Sequence, residues 1–119
     1  MKTVRTAEEY AAAVKNREST IEIVGDFANK TVKIKATGTV AWGVAFLAIG
    51  AAVALAMTGA GIPAALGVAT TSVAAIGTGA TTAAIALGAA SGGTAILNSI
   101  RDDYEIVEKS SNRVVLKKR

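Results

Sequence analysis

GTVAWGVAFLAIGAAVALAMT, residues 38–58, is the stretch on which the fold reading turns. It holds no charge, and Trp42 lies near its start. At a rise of ~1.5 Å per residue, about 20 helical residues cover roughly 30 Å, the hydrocarbon thickness of a bilayer. An indole near the end of such a run suits a membrane–water interface. The spacing predicts a transmembrane helix over residues 38–58.

Working outward, every charged residue lies at or before Lys35, or at or after Arg101. This segregation explains a positive mean hydropathy in a 119-residue chain with 13 Lys and Arg and 9 Asp and Glu. GAGIP, residues 59–63, is a break, with Pro63 suited to a helix start. Ala64 to Ile100 is too long for one straight span and short for two. A connecting segment to about residue 73 and a second span over residues 74–97, loosened at Gly77 and Gly79, is the preferred division. A three-span alternative divides near Gly77. The basic flanks Lys30, Lys33, Lys35 and Arg101, with an uncharged loop between the spans, place both termini in the cytoplasm and require an even number of spans. MKTVRTAEEY lacks an apolar region behind its basic residues, so the first span is expected to act as its own insertion signal.

The charged ends pattern differently. Thr6 and Glu9 have capping-box spacing, and Ala7, Tyr10, Ala11 and Val14 recur at helical intervals, predicting a helix over about residues 7–17. TIEIV and TVKIKA alternate as two strands around GDFANK. YEIVE and RVVLKK flank a second turn, KSSNR. A lone hairpin is marginal in water, so both ends are expected to share one small α+β cap. The fold class expected is an integral membrane α-helical hairpin, Gly/Ala-rich, with two transmembrane helices plus that cap. Residues 1–36 and 101–119 form the cap and residues 37–100 the hairpin. The location expected is the inner (cytoplasmic) membrane, multi-pass.

Ala80, Ala84, Gly88 and Gly92 form a ladder of small residues, with Gly43, Gly50 and Ala54 a looser one. Such glycine zippers let helices approach closely, within one hairpin or between protomers. Thr78, Thr81, Thr82, Ser91 and Thr94 are candidate pore-lining hydroxyls, although Ser and Thr in helices also bond back to their own backbone. Lys33, Lys35, Trp42 and Arg101 are the expected membrane-interface anchors. Asp102, Asp103, Glu105 and Glu108 read as a solvated rim.

The chain holds no Cys and no His, which removes thiol chemistry, disulfides and the commonest metal ligand. No catalytic, cofactor-binding or metal-ligating set is identified, and no small-molecule substrate. The basic tail lacks aromatic interleaving and is assigned to lipid headgroups rather than to nucleic acid. The apolar hairpin is similar in kind to those of pore-forming bacteriocins, a likeness of composition without a shared motif. The expected partners are the lipid bilayer and further copies of the chain. The expected function is a small homo-oligomeric channel or pore of toxin, effector or holin type. The alternative is a non-conducting membrane scaffold whose cap self-assembles or binds a protein. Storage of the hairpin inside a water-soluble assembly before insertion is a further option.

Overall fold

The capping box forms at Thr6 as its spacing predicts. The Thr6 hydroxyl accepts the Glu9 amide at 3.2 Å, and the Glu9 carboxylate accepts the amides of Thr6 at 3.2 Å and Arg5 at 3.0 Å. It starts α1, Ala7–Lys15, directly after a short strand β1, Lys2–Val4. β2, Thr20–Val24, alternates as expected and buries Ile21 and Ile23. The structure is a computed structural model that describes residues 1–119 apart from the side chain of Ala60.

The strand expected over TVKIKA does not form, and β1, which was not expected, pairs with β2. TVKIKA belongs to a helix, α2, Asp26–Ala36. Alternation at Val32, Ile34 and Ala36 over so short a run is ambiguous, whereas Ala28, Thr31 and Ile34 recur at three-residue intervals and are the positions that α2 buries. The place beside β2 is taken by the C-terminal hairpin instead. β3, Tyr104–Ser110, and β4, Arg113–Lys118, complete a sheet of order β1-β2-β4-β3. β1 runs parallel to β2, while β4 is antiparallel to both β2 and β3. The register sets Ile21 opposite Leu116 and Ile23 opposite Val114, so the two central strands present an apolar face to the helices. A bulge between Ile106 and Glu108 lets β3 follow the twist.

The outer face of the sheet is polar. Arg113 forms an ion pair with Glu22 and reaches Glu108 at 3.3 Å, and Thr3 donates to Glu22 at 2.8 Å. The hydrogen bond from Arg113, then that from Thr3, holds the Glu22 carboxyl below its ordinary value of 4.5. A depressed carboxylate stabilises the fold fully above its unfolded value and loses that contribution as pH falls through the lower folded value. Glu22→Gln is therefore expected to flatten the acid limb of a stability-versus-pH profile below about pH 4.5. An unchanged limb in urea unfolding would show that this pair is uncoupled from folding.

The uncharged middle block is where the fold departs most from expectation. It forms α3, Thr39–Leu55, a π turn, Ala56–Ala60, then α4, Ile62–Val68, α5, Thr70–Ile76, and α6, Thr78–Ser91. α7, Ala95–Asp102, leads back to the sheet. The breaks fall at Gly59, Gly61, Gly77 and Gly92, each with φ between 86° and 94°, a left-handed conformation that glycine adopts at little cost. Gly92 ends α6, and the Gly93 amide closes the terminus on the Gly88 carbonyl at 2.8 Å.

These breaks overturn the two-span membrane hairpin. The segment expected as the second span is divided among α5, α6 and α7, and α6 meets α7 at 114°. Among the described residues, Thr39–Gly59 is the one helix with the length and composition of a span, and the bent α6–α7 pair is a second candidate. α6 is apolar all round because protein covers it: Ala80, Ala83, Ala84, Ile85, Leu87 and Gly88 are buried among α1 to α5 and α7. The accessible surface, 5815 Å², matches the ~5,900 Å² expected of a folded monomer of this mass. The radius of gyration, 13.0 Å, compares with about 13.5 Å for a compact domain of this length. The architecture is α+β, with seven α-helices and a mixed four-stranded sheet around one continuous core. The expected multi-pass membrane placement is therefore corrected, and the descriptions as a transmembrane glycine-zipper pore, ion channel or toxin fall with it. The physical reason is that the glycine breaks cut the uncharged block into short helices, which fold back and bury Trp42, Ile49, Val53, Ile76, Ile85, Leu87, Ile96 and Leu97 in the core.

Candidate interaction surface

α3 is covered on one face only. Its inner face, Trp42, Ala45, Ile49, Ala52 and Val53, is buried against α4, α5 and α6. Its outer face is not covered. Val40 is 84 % exposed, Leu47 78 % and Val44 45 %, with Gly43, Ala51, Ala54 and Thr58 exposed along the same line. Positions 40, 43, 44, 47, 51, 54 and 58 fall at intervals of three and four, which is one face of a helix. The stripe is uncharged and covers about 27 Å along the axis. An exposed apolar surface of that continuity marks an interaction site far more often than isolated exposed residues do.

Two glycines on α3 sharpen the point. A Cβ at Gly43 or Gly50 would meet no atom within 4 Å. Glycine in a helix interior costs about 1 kcal/mol relative to alanine, and nothing inside this fold requires it at either position.

The small-residue ladder behaves differently on α6. A Cβ at Gly88 would lie 2.6 Å from Cγ2 of Val53, so here glycine does let α6 approach α3. Ala80 and Ala84 are buried on the same helix, Gly92 is its left-handed terminus, and Ala54 is exposed on α3. The hydroxyls predicted to line a pore do not share a lumen. Thr81 is buried and hydrogen-bonds Ser72 at 2.9 Å, joining α6 to α5. Thr82 bonds back to the Thr78 carbonyl at 2.8 Å, and Ser91 to the Gly93 carbonyl at 3.0 Å. Thr78 is exposed and Thr94 precedes α7.

The four expected interface anchors separate as well. Lys33 is exposed, whereas Trp42 is buried and its indole donates to Asn98 at 3.4 Å. Lys35 and Arg101 join two helix ends. Lys35 Nζ donates to the carbonyls of Ile100 at 2.9 Å, Arg101 at 3.1 Å and Tyr104 at 2.6 Å. Arg101 donates back to the carbonyls of Ile34 at 2.6 Å and Thr37 at 3.0 Å, with its guanidinium 4.6 Å from the Trp42 ring centre. Each cation caps the C-terminus of the other's helix, where carbonyls lack partners and the dipole is negative. Sequence reading misses this exchange, although a basic residue in the last turn of each helix was its signal.

Residues 3–119 match the model of a family described as uncharacterised protein PM1101. The chain belongs to this family. No curated protein and no solved structure matches it. In this PM1101 family chain no group of three His, Cys, Asp or Glu side chains is placed to hold a metal ion among the described residues. The uncovered face of α3 is thus its most distinctive chemical feature.

Proposed function

We propose that the chain is a self-assembling scaffold whose working surface is the outer face of α3, with a second copy of the same chain as its partner. The single observation that carries this reading is the size order along the stripe. Val40, Val44 and Leu47 stand at its N-terminal half, while Ala51, Ala54 and Thr58 make its C-terminal half flat. Turn one helix end for end against another about a point near residue 49, and large meets small throughout. Val40 then faces Thr58, Gly43 faces Leu55, Val44 faces Ala54, and Leu47 faces Ala51. A two-fold interface needs this self-complementarity, since each contact occurs twice. Gly43 and Gly50, idle within the monomer, gain a role in close helix approach.

Sedimentation equilibrium of the full chain tests this. A dimer should form with a Kd in the micromolar range or tighter. Leu47→Glu brings two desolvated carboxylates near the two-fold axis and is expected to weaken dimerisation by at least about 100-fold. Its circular dichroism, and its urea midpoint at protein concentrations well below the dimer Kd, should stay unchanged, because Leu47 is 78 % exposed in the monomer. A chain that stays monomeric at ~100 μM, well above such a Kd, would overturn the reading. Co-flotation of that monomer with phospholipid vesicles would assign the face to a lipid surface instead.

A further inference from the structure

A groove lies between the C-terminal end of α1 and the turn joining α6 to α7. Its larger part is a cavity of about 350 Å³ walled by Ala11, Val14 and Ile96, with Lys15 and Arg17 at its edge. A second cavity of about 290 Å³ shares Val14, Arg17 and Ser99 and continues to Asp103, Tyr104 and Lys118. The first sits at the lower end of the ~300–1,000 Å³ typical of small-molecule sites and the second just below it, and the two share lining residues.

Charge and backbone geometry single out Arg17. It is the one non-glycine residue with positive φ, at 56°, among the described residues. It follows α1 where the Glu18 amide closes onto the Ala13 carbonyl at 3.1 Å, a position that glycine fills at least cost. A bulky side chain there costs roughly 1–2 kcal/mol. Among the described residues, Arg17 forms no ion pair and no side-chain hydrogen bond in return, and neither do Lys15 and Lys118. Asp103 is the only carboxylate against these three cations on the groove wall. The groove therefore joins an apolar wall to an unneutralised positive edge.

We propose that this groove binds a small organic anion, its apolar body against Ala11, Val14 and Ile96 and its phosphate or carboxylate on Arg17. Arg17 lines both cavities, so its guanidinium can meet a head group at their junction in a bidentate pair. Lys15 and Lys118 supply the surrounding field. The amides at the start of α7, which Thr94 leaves without a side-chain cap, border the same space.

The test is a nitrogen–proton NMR titration of the labelled full chain with phenyl phosphate, phenylacetate and neutral phenol. Saturable shifts are expected at the amides of Gly92, Gly93, Ala95 and Ser99, with phenol far weaker than either anion. Tighter binding of phenyl phosphate would assign a phosphate head group, and tighter binding of phenylacetate a carboxylate. Arg17→Gly suits the backbone conformation, so it should fold normally and weaken the anion by about tenfold or more. Equal binding of phenol, shifts spread without saturation over the lysine-bearing surface, or undiminished binding by the variant would overturn the proposal. The groove shares no residue with the outer face of α3, so either proposal can fail without the other.

Discussion

Gly88→Ala is expected to destabilise the protein by about 2 kcal/mol, although alanine is the better helix former. The new Cβ would lie 2.6 Å from Val53 Cγ2, 3.2 Å from Val53 Cγ1 and 3.3 Å from the Gly93 carbonyl oxygen. Overpacking in a dense core costs ~1–3 kcal/mol, and the closeness here belongs at the upper end. The gain in helix propensity returns up to about 1 kcal/mol. Val53 is 2 % exposed and β-branched, so it has little freedom to swing aside. Urea unfolding of Gly88→Ala, Val53→Ala and the double variant checks the cause. The double variant should be more stable than the sum of the single losses by about 1 kcal/mol, because removing the Val53 methyls frees the space for the Cβ. Additive losses would place the damage elsewhere.

The second large effect is expected at the exchange between α2 and α7. Arg101→Met removes hydrogen bonds to the Ile34 and Thr37 carbonyls and the contact with the Trp42 ring. Charge-assisted hydrogen bonds contribute about 1.5–3 kcal/mol each, and a cation over an indole about 0.5–1 kcal/mol. The freed carbonyls partly recover water, so a net loss of about 2–4 kcal/mol is expected. Lys35→Met should cost a similar amount, since its ammonium satisfies three carbonyls at the start of the return to β3. Burial, then the charges of Arg119 and Arg101, holds the Lys35 ammonium below the usual lysine range. Arg101→Lys keeps the charge but not the fork that reaches two carbonyls, and should fall between wild type and Arg101→Met. Thermal unfolding of the set decides the matter: equal midpoints for wild type, Lys and Met at position 101 would mean that charge and geometry there contribute nothing.

Both effects lie where the sequence offered a motif without its setting. Small residues at Ala80, Ala84 and Gly88 announced close helix approach, and Gly88 provides it against Val53. The same composition at Gly43 and Gly50 meets open space. Spacing within a segment cannot separate the two cases, because the difference lies in what packs opposite. Gly92 continues the four-residue interval, yet its left-handed φ of 86° makes it a terminus. Lys35 and Arg101 flank the uncharged block as membrane anchors do, and they lie close in space because that block folds back on itself.

The sequence by itself determined local features that depend on neighbours along the chain. Thr6 and Glu9 form their capping box, Ile21 and Ile23 alternate into the core, and strands from both ends share one sheet. It also determined that residues 36–100 must be largely dry, since a helix apolar all round cannot face water. What keeps them dry was decided only by tertiary structure. Lipid and protein interior impose nearly the same demand on side chains, so an Ala/Gly-rich uncharged run satisfies either. Breaks at Gly59, Gly61, Gly77 and Gly92 cut the run into helices short enough to pack around α6. That packing buries one side of these helices and leaves a continuous uncharged stripe exposed on α3, beside smaller exposed apolar positions such as Val68 on α4.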